Sequence, residues 1–103
     1  MASYVTVARV ADIPEGRVKV VSVGGEQIAL ANVEGSVFAI EDRCSHDDGP
    51  LGEGRLRGSE LECPRHGARF DVKSGRPLCL PAVVAVRTYP VRVEGDEVKV
   101  SLE

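Results

Sequence analysis

Residues 44–71 read CSHDDGPLGEGRLRGSELECPRHGARFD, and this stretch decides the kind of fold that the chain can adopt. It opens with Cys44-Ser45-His46 and later contains Cys63-Pro64-Arg65-His66, so both histidines of the chain stand beside cysteines. Given three cysteines and two histidines among 103 residues, two such pairs arise by chance in about one sequence in a thousand. The pattern therefore predicts a metal site rather than inert core cysteines with structural histidines.

The ligand types narrow the choice of metal to two. Two thiolates and two imidazoles suit either tetrahedral zinc or a mixed-ligand iron–sulfur cluster. Structural zinc sites favour pairs of like ligands, whereas each segment here supplies one sulfur and one nitrogen. Two loops that close over a two-iron cluster from opposite sides account for this arrangement, with both cysteines on one iron and both histidines on the other. Zinc remains the alternative.

The segments on both sides of this stretch show the two-residue period of half-buried β-strands. Val18 and Val20 alternate with Arg17 and Lys19, and polar turns follow roughly every eight to ten residues. No segment shows a helical stripe of adequate length. The pattern predicts an all-β fold, a small antiparallel sandwich or barrel.

The middle of the chain is rich in residues that bend the backbone. Between residues 49 and 81 lie six of the 11 glycines and four of the six prolines. Such a stretch buries little apolar surface by itself, so we expect a metal centre to order it. We predict a single domain over residues 1–103, because this length suits one domain. A loop-rich metal-binding subdomain would be inserted at about residues 42–75.

Charge and composition exclude several classes of protein. The net charge of −3 is spread evenly along the chain, which argues against a nucleic-acid partner. No apolar stretch approaches the roughly 18 residues of a membrane span, and the first residues do not resemble a secretory signal. The few cysteines favour reduced thiols and a cytoplasmic protein. No nucleophile–base pair remains once both histidines bind metal, so we do not expect an enzyme.

The double motif resembles the cluster loops of Rieske-type 2Fe-2S proteins. Cys44-Ser45-His46 is similar to the first loop of this family, and residues 63–71 are similar to the second loop and the strand that follows it. Ser74-Gly75-Arg76 continues the similarity, and Pro81 falls where the family has a proline loop over the cluster. The resemblance extends into the β segments and covers most of the chain, so it implies a Rieske-like fold.

The resemblance also implies one 2Fe-2S cluster with four protein ligands. Cys44 and Cys63 would bind the buried iron, while His46 and His66 would bind the exposed iron through their ring nitrogens. Neutral imidazoles spare the cluster the two extra negative charges of an all-cysteine cluster. The lower negative charge raises the reduction potential of the cluster into a range of about −150 to +300 mV.

The chain departs from the high-potential branch of this family. Those proteins add a cysteine to each loop and join the two in a disulfide, but Arg65 stands in the second loop here. They also place a serine and a tyrosine near the cluster, where this chain has Ala68 and Phe70. Neither of these side chains can donate a hydrogen bond to sulfur. We therefore predict a low-potential ferredoxin, at about −150 mV.

The function that the resemblance implies is one-electron transfer. Low-potential Rieske ferredoxins carry electrons from a flavin-dependent NAD(P)H reductase to the terminal oxygenase of a ring-hydroxylating system, and the chain would be a monomer that contacts both partners transiently. Two alternatives stay open: a Rieske small subunit fixed to a reductase of the nitrite-reductase type, and a zinc-stabilised interaction module. The third cysteine, Cys79, is expected to be a small buried apolar residue rather than a redox-reactive thiol.

Overall fold

Ten β-strands and two short 3₁₀ helices form the described part of the protein, a computed structural model that covers residues 3–43, 51–64, 67–79 and 84–102. The strands are, in chain order, β1 (Tyr4–Arg9), β2 (Val18–Val23), β3 (Glu26–Val33), β4 (Ser36–Glu41), β5 (Arg55–Arg57), β6 (Glu60–Glu62), β7 (Arg69–Asp71), β8 (Thr88–Tyr89), β9 (Val91–Glu94) and β10 (Glu97–Ser101). The 3₁₀ helices are Val10–Asp12 and Leu51–Glu53. Within these ranges no helix is long and apolar enough to cross a membrane.

The strands form three antiparallel sheets, with the orders β1-β10-β9, β2-β3-β4-β8 and β5-β6-β7. The first and second sheets enclose an apolar core that contains Leu30 and Val98. The second and third sheets enclose another core, which contains Ala31 and Phe70. The four-stranded sheet is therefore the middle of three layers, and the predicted all-β antiparallel fold is confirmed.

Strand β3 is buried on both faces because it runs through this middle layer. Residues 28–33 are all buried. Ile28 and Leu30 belong to the core shared with the first sheet, while Ala29 and Ala31 belong to the core shared with the third. Small side chains on the second face leave room for the larger apolar residues of the third sheet. The strand accordingly has a continuous apolar run instead of an alternating pattern.

The glycine- and proline-rich middle of the chain buries apolar side chains against the rest of the protein. Leu51, Leu61, Phe70 and Val72 are each at most 1% exposed. Strands β5, β6 and β7 are only three residues long, but their register aligns Leu56, Leu61 and Phe70 on one face. That face packs against the middle sheet, so a neighbouring sheet supplies the apolar contact that this stretch lacks by itself. The division of the chain into one domain with an inserted subdomain stays a prediction.

Gly54 allows the third sheet to close against the 3₁₀ helix Leu51–Glu53. A Cβ atom at this position would lie 1.7 Å from the carbonyl oxygen of Glu62. We expect Gly54→Ala to lower the free energy of unfolding by about 3 kcal/mol, because the two backbone segments must move apart. Urea unfolding followed by circular dichroism measures the change.

Gly58→Ala is the matched control for this prediction. Gly58 belongs to the turn between β5 and β6, and a Cβ atom there would meet nothing within 4 Å. Its φ of +60° is unfavourable for alanine by about 1–2 kcal/mol. Equal losses of stability in the two variants would contradict the close approach at Gly54.

Candidate metal centre

Cys63 is the predicted ligand that lies within the described residues, and it follows directly after β6. Its side chain is 1% exposed, and its thiol is free of any disulfide to the described residues. The N–H of Cys63 donates to the carbonyl oxygen of Ala68 at 2.6 Å, and the N–H of Gly67 donates to the carbonyl oxygen of Cys63 at 3.1 Å. These two hydrogen bonds close the loop between β6 and β7, so the sulfur is held at the base of a tight turn.

Cys63 lies at the border between the apolar core and a surface cleft. On one side it belongs to the core cluster that includes Leu61, Ala68 and Phe70. On the other side a cleft of about 290 Å³ reaches it, lined by Glu53, Gly54, Arg55, Glu62, Cys63, Pro64 and Gly67. A thiol in this position can bind a metal in the cleft, while the apolar side keeps water away from the sulfur.

Three predicted ligands, Cys44, His46 and His66, lie outside the described residues, as do Arg65 and Pro81. The set of four ligands therefore stays a prediction. The structure does describe the chain on either side of each ligand segment, and these flanking residues lie close together.

Asp42 connects the two ends of the first ligand segment. Its Oδ1 accepts a hydrogen bond from the N–H of Gly52 at 2.5 Å. Burial raises the pKa of the Asp42 carboxyl above its ordinary value, and the hydrogen bond from Gly52 counteracts part of that rise. Gly52 also packs against β2, since a Cβ atom there would lie 2.1 Å from Cγ2 of Val20. Asp42 and Gly52, the residues that flank the first ligand segment, are thus attached to the middle sheet.

The bases of the two ligand segments touch at Gly54. The backbone of Gly54 lies against the carbonyl of Glu62, which is the residue directly before Cys63. A cluster that takes ligands from both segments requires this proximity. The sequence analysis missed the role of Asp42 and Gly54 in bringing the segments together, because these contacts join positions that are distant in sequence.

Asp71 organises the turn after β7, a role that the sequence analysis missed. Its Oδ1 accepts a hydrogen bond from the N–H of Lys73 at 3.0 Å, and its Oδ2 accepts one from the hydroxyl of Ser74 at 3.1 Å. The carbonyl oxygen of Asp71 accepts a further bond from the N–H of Gly75 at 2.7 Å. An aspartate followed by serine and glycine is typical of such turns, so the signal was present.

Cys79 lies beside the second ligand segment instead of inside the core. Its side chain is only partly buried, and its Sγ donates to the carbonyl oxygen of Gly67 at 3.5 Å. The N–H of Leu78 donates to the carbonyl oxygen of Arg69 at 2.7 Å, so the chain before Cys79 runs along the outer edge of β7. The expectation of a buried Cys79 was wrong, because an edge position covers the side chain on fewer sides than a core position does.

Comparison with known proteins gives the family. A family model described as the Rieske [2Fe-2S] domain matches residues 3–90. The ferredoxin component of the naphthalene 1,2-dioxygenase system of Pseudomonas aeruginosa is 45% identical over 91 residues, which is 88% of each chain. The solved ferredoxin of carbazole 1,9a-dioxygenase from Nocardioides aromaticivorans IC177 is 36% identical and covers 99% of this chain and 100% of its own, with a TM-score of 0.94.

A further solved structure, a complex of reduced oxygenase and oxidized ferredoxin in carbazole 1,9a-dioxygenase, contains a chain that is 34% identical. It matches with a TM-score of 0.90 over 95% of this chain and 92% of its own.

These similarities decide between the cofactors that the sequence left open. The cofactor is a Rieske-type 2Fe-2S cluster and not zinc, and the relatives are electron-transfer components of dioxygenase systems. The buried thiol of Cys63 beside a cleft fits such a cluster, since thiolates are among its ligands. The chain is therefore an electron carrier and not an enzyme in its own right. It belongs to the Rieske [2Fe-2S] domain family.

Proposed function

We propose that this ferredoxin carries single electrons from a flavin-dependent NAD(P)H reductase to the terminal oxygenase of an aromatic-ring dioxygenase system. An oxygenase as the partner is supported by the naphthalene and carbazole dioxygenase relatives, and above all by the solved complex that contains both an oxygenase and a ferredoxin. We include the reductase as the electron donor, because a carrier must be reduced before it can reduce an oxygenase.

The proposed cluster ligands are Cys44, His46, Cys63 and His66. The observation that carries this assignment is the position of Cys63, a free and buried thiol that a cleft reaches at the point where the two ligand segments touch. When bound, the cluster supplies reversible one-electron redox chemistry. The chain supplies two loops whose bases are fixed by hydrogen bonds and close backbone contact.

Ala68 and Phe70 make one side of the proposed cluster site apolar. Both are completely buried in the same core cluster as Cys63, and neither side chain can donate a hydrogen bond. Reduction adds negative charge to the cluster, and hydrogen-bond donors near sulfur favour the reduced form. The lack of such donors in these two side chains favours a potential at the lower end of the family range, at about −150 mV.

The ligand set is tested by cluster loading in single variants. Wild-type protein purified in air is expected to be red-brown and to contain two irons and two labile sulfides. After reduction with dithionite, its EPR spectrum should show the low average g of mixed nitrogen and sulfur ligation. Cys63→Ser, His46→Ala and His66→Ala should each lose the cluster, because each variant lacks one of the four proposed ligands.

Cys79→Ser is the control for these variants, since it removes a thiol that is close to the second ligand segment without being a proposed ligand. It should retain the colour, the iron and the EPR spectrum of the wild type. Normal loading in either histidine variant, or loss of the cluster in Cys79→Ser alone, would refute the assignment.

The proposed place in electron transfer is tested by substitution into a related system. The holoprotein should support product formation when it replaces the ferredoxin in a reconstituted naphthalene 1,2-dioxygenase system, whose ferredoxin is 45% identical. The measurement is the rate of product formation relative to a mixture without ferredoxin. Reduction by the reductase with no subsequent oxidation by the oxygenase would contradict the oxygenase as partner.

The effect of hydrogen-bond donors is tested by Ala68→Ser. A hydroxyl that donates to cluster sulfur should raise the midpoint potential by on the order of 60–130 mV, since such a bond to a charged group contributes about 1.5–3 kcal/mol. Redox titration followed by absorbance measures the shift. Ala11→Ser, on the exposed 3₁₀ helix Val10–Asp12, should leave the potential unchanged, and an equal shift in both variants would contradict the argument.

A further inference from the structure

A second cleft lies next to the one that reaches Cys63, between the turn before β2 and the edge strand β5. It measures about 460 Å³, and three arginines line it: Arg17, Arg55 and Arg57. All three side chains are exposed. The other described lining residues are glycine, valine and leucine, so no acidic residue of the described ranges lines the cleft. The cleft therefore concentrates positive charge in a protein whose net charge is −3.

These three arginines belong to the half of the 12 described basic residues that form no ion pair with a described carboxylate. Within the described residues, six other basic side chains lie 3.0–3.9 Å from a carboxylate, namely Arg9, Arg43, Arg69, Arg87, Arg92 and Lys99. No carboxylate of the described ranges forms such a pair with Arg17, Arg55 or Arg57.

Acidic residues near these arginines form no ion pair with them in the described part of the chain. Glu62 faces Arg55 across the β5–β6 hairpin and lines the neighbouring cleft. Glu60 faces Arg57 across the β5–β6 hairpin, but its carboxylate pairs with Arg69 at 3.4 Å. The carboxylate of Glu15 lies beside Gly35, where an added Cβ atom would be 3.7 Å from Oε1. The fold therefore produces the excess of positive charge, because it brings Arg17 to the same cleft as Arg55 and Arg57 while Glu60 pairs with Arg69.

We infer that this cleft is a binding site for a multiply charged oxyanion of the phosphate class, either free or as the diphosphate of a nucleotide. Guanidinium groups match phosphate oxygens in geometry and bind them through paired hydrogen bonds. Three such groups around one concave surface suit an anion with more than one negative charge, since each can bind a separate oxygen. The volume admits an anion larger than a single phosphate.

Binding in this cleft would also affect the cluster, an inference that rests on the proposed role of Cys63 as a ligand. Gly54 and Arg55 line both clefts, and Cys63 is among the residues that line the neighbouring one. Reduction adds one negative charge to the cluster, and a bound anion nearby opposes it. The anion therefore binds the oxidised form more tightly and, by linkage, lowers the midpoint potential.

Isothermal titration calorimetry of the holoprotein with sodium pyrophosphate tests the site, at an ionic strength held constant with sodium chloride. Saturable binding at one site is expected. Arg17→Gln, Arg55→Gln and Arg57→Gln should each weaken it by about tenfold or more. Arg76→Gln removes the same charge from the same half of the protein outside the cleft, and it should bind like the wild type.

Two further ligands separate the possible sources of the anion. ADP that binds as tightly as pyrophosphate supports a site for the diphosphate alone, and tighter binding of ADP supports a nucleotide. The proposal is overturned if the heat of pyrophosphate binding does not saturate. It is also overturned if binding weakens equally in the three cleft variants and in Arg76→Gln. A hexaglutamate peptide that saturates where pyrophosphate does not also overturns it, in favour of an acidic protein segment.

The midpoint potential supplies a second readout. It should fall when pyrophosphate is added to the wild type and to Arg76→Gln, and the fall should be smaller in Arg55→Gln. A constant potential in the presence of saturating pyrophosphate overturns the coupling to the cluster. Calorimetric binding does not require the proposed ligand set to be correct, so failure of that proposal and failure of this one give different results.

Discussion

The burial of β3 on both faces is the constraint on which the rest of the structure depends. Ile28 and Leu30 enter one core, and Ala29 and Ala31 enter the other. A shift of one residue in the pairing of β3 would exchange these two sets and place large side chains where the third sheet must pack. The position of the third sheet, and with it the position of Cys63, is therefore set by a strand that contributes no predicted ligand.

The same packing explains how a chain with such short strands supports a redox centre. Strands β5, β6 and β7 could not be stable alone, because three-residue strands bury too little surface. Their apolar face closes over β3, and Gly54 lets the first ligand segment touch the second. Sulfur from Cys63 is then covered by protein on one side and reached by a cleft on the other. A carrier needs this asymmetry, since it must protect its cluster and still pass electrons to a partner.

The sequence predicted the features that depend on local patterns. Antiparallel strands followed from two-residue periodicity, and the metal segments followed from two cysteine–histidine pairs of low chance frequency. The three-layer arrangement did not follow, because the apolar run of β3 does not show which sheet covers each of its faces. Contacts between distant segments, such as the bond from Gly52 to Asp42 or the edge position of Cys79, depend on packing that no local pattern encodes.

The arginines of β5 have a simpler explanation that must be weighed against a binding site, since charged residues on an edge strand prevent pairing with another chain. The outward-facing residues of the third sheet form two rows across β5, β6 and β7, which are Arg55–Glu62–Arg69 and Arg57–Glu60–Asp71. An edge strand has neighbours on one side only, so an acidic residue on β6 can pair with β7 and leave β5 without a partner. Protection of the edge does not explain Arg17, which comes from a different element across the cleft. Positive charge that converges from two elements onto one concave surface is what distinguishes a binding site from a protected edge.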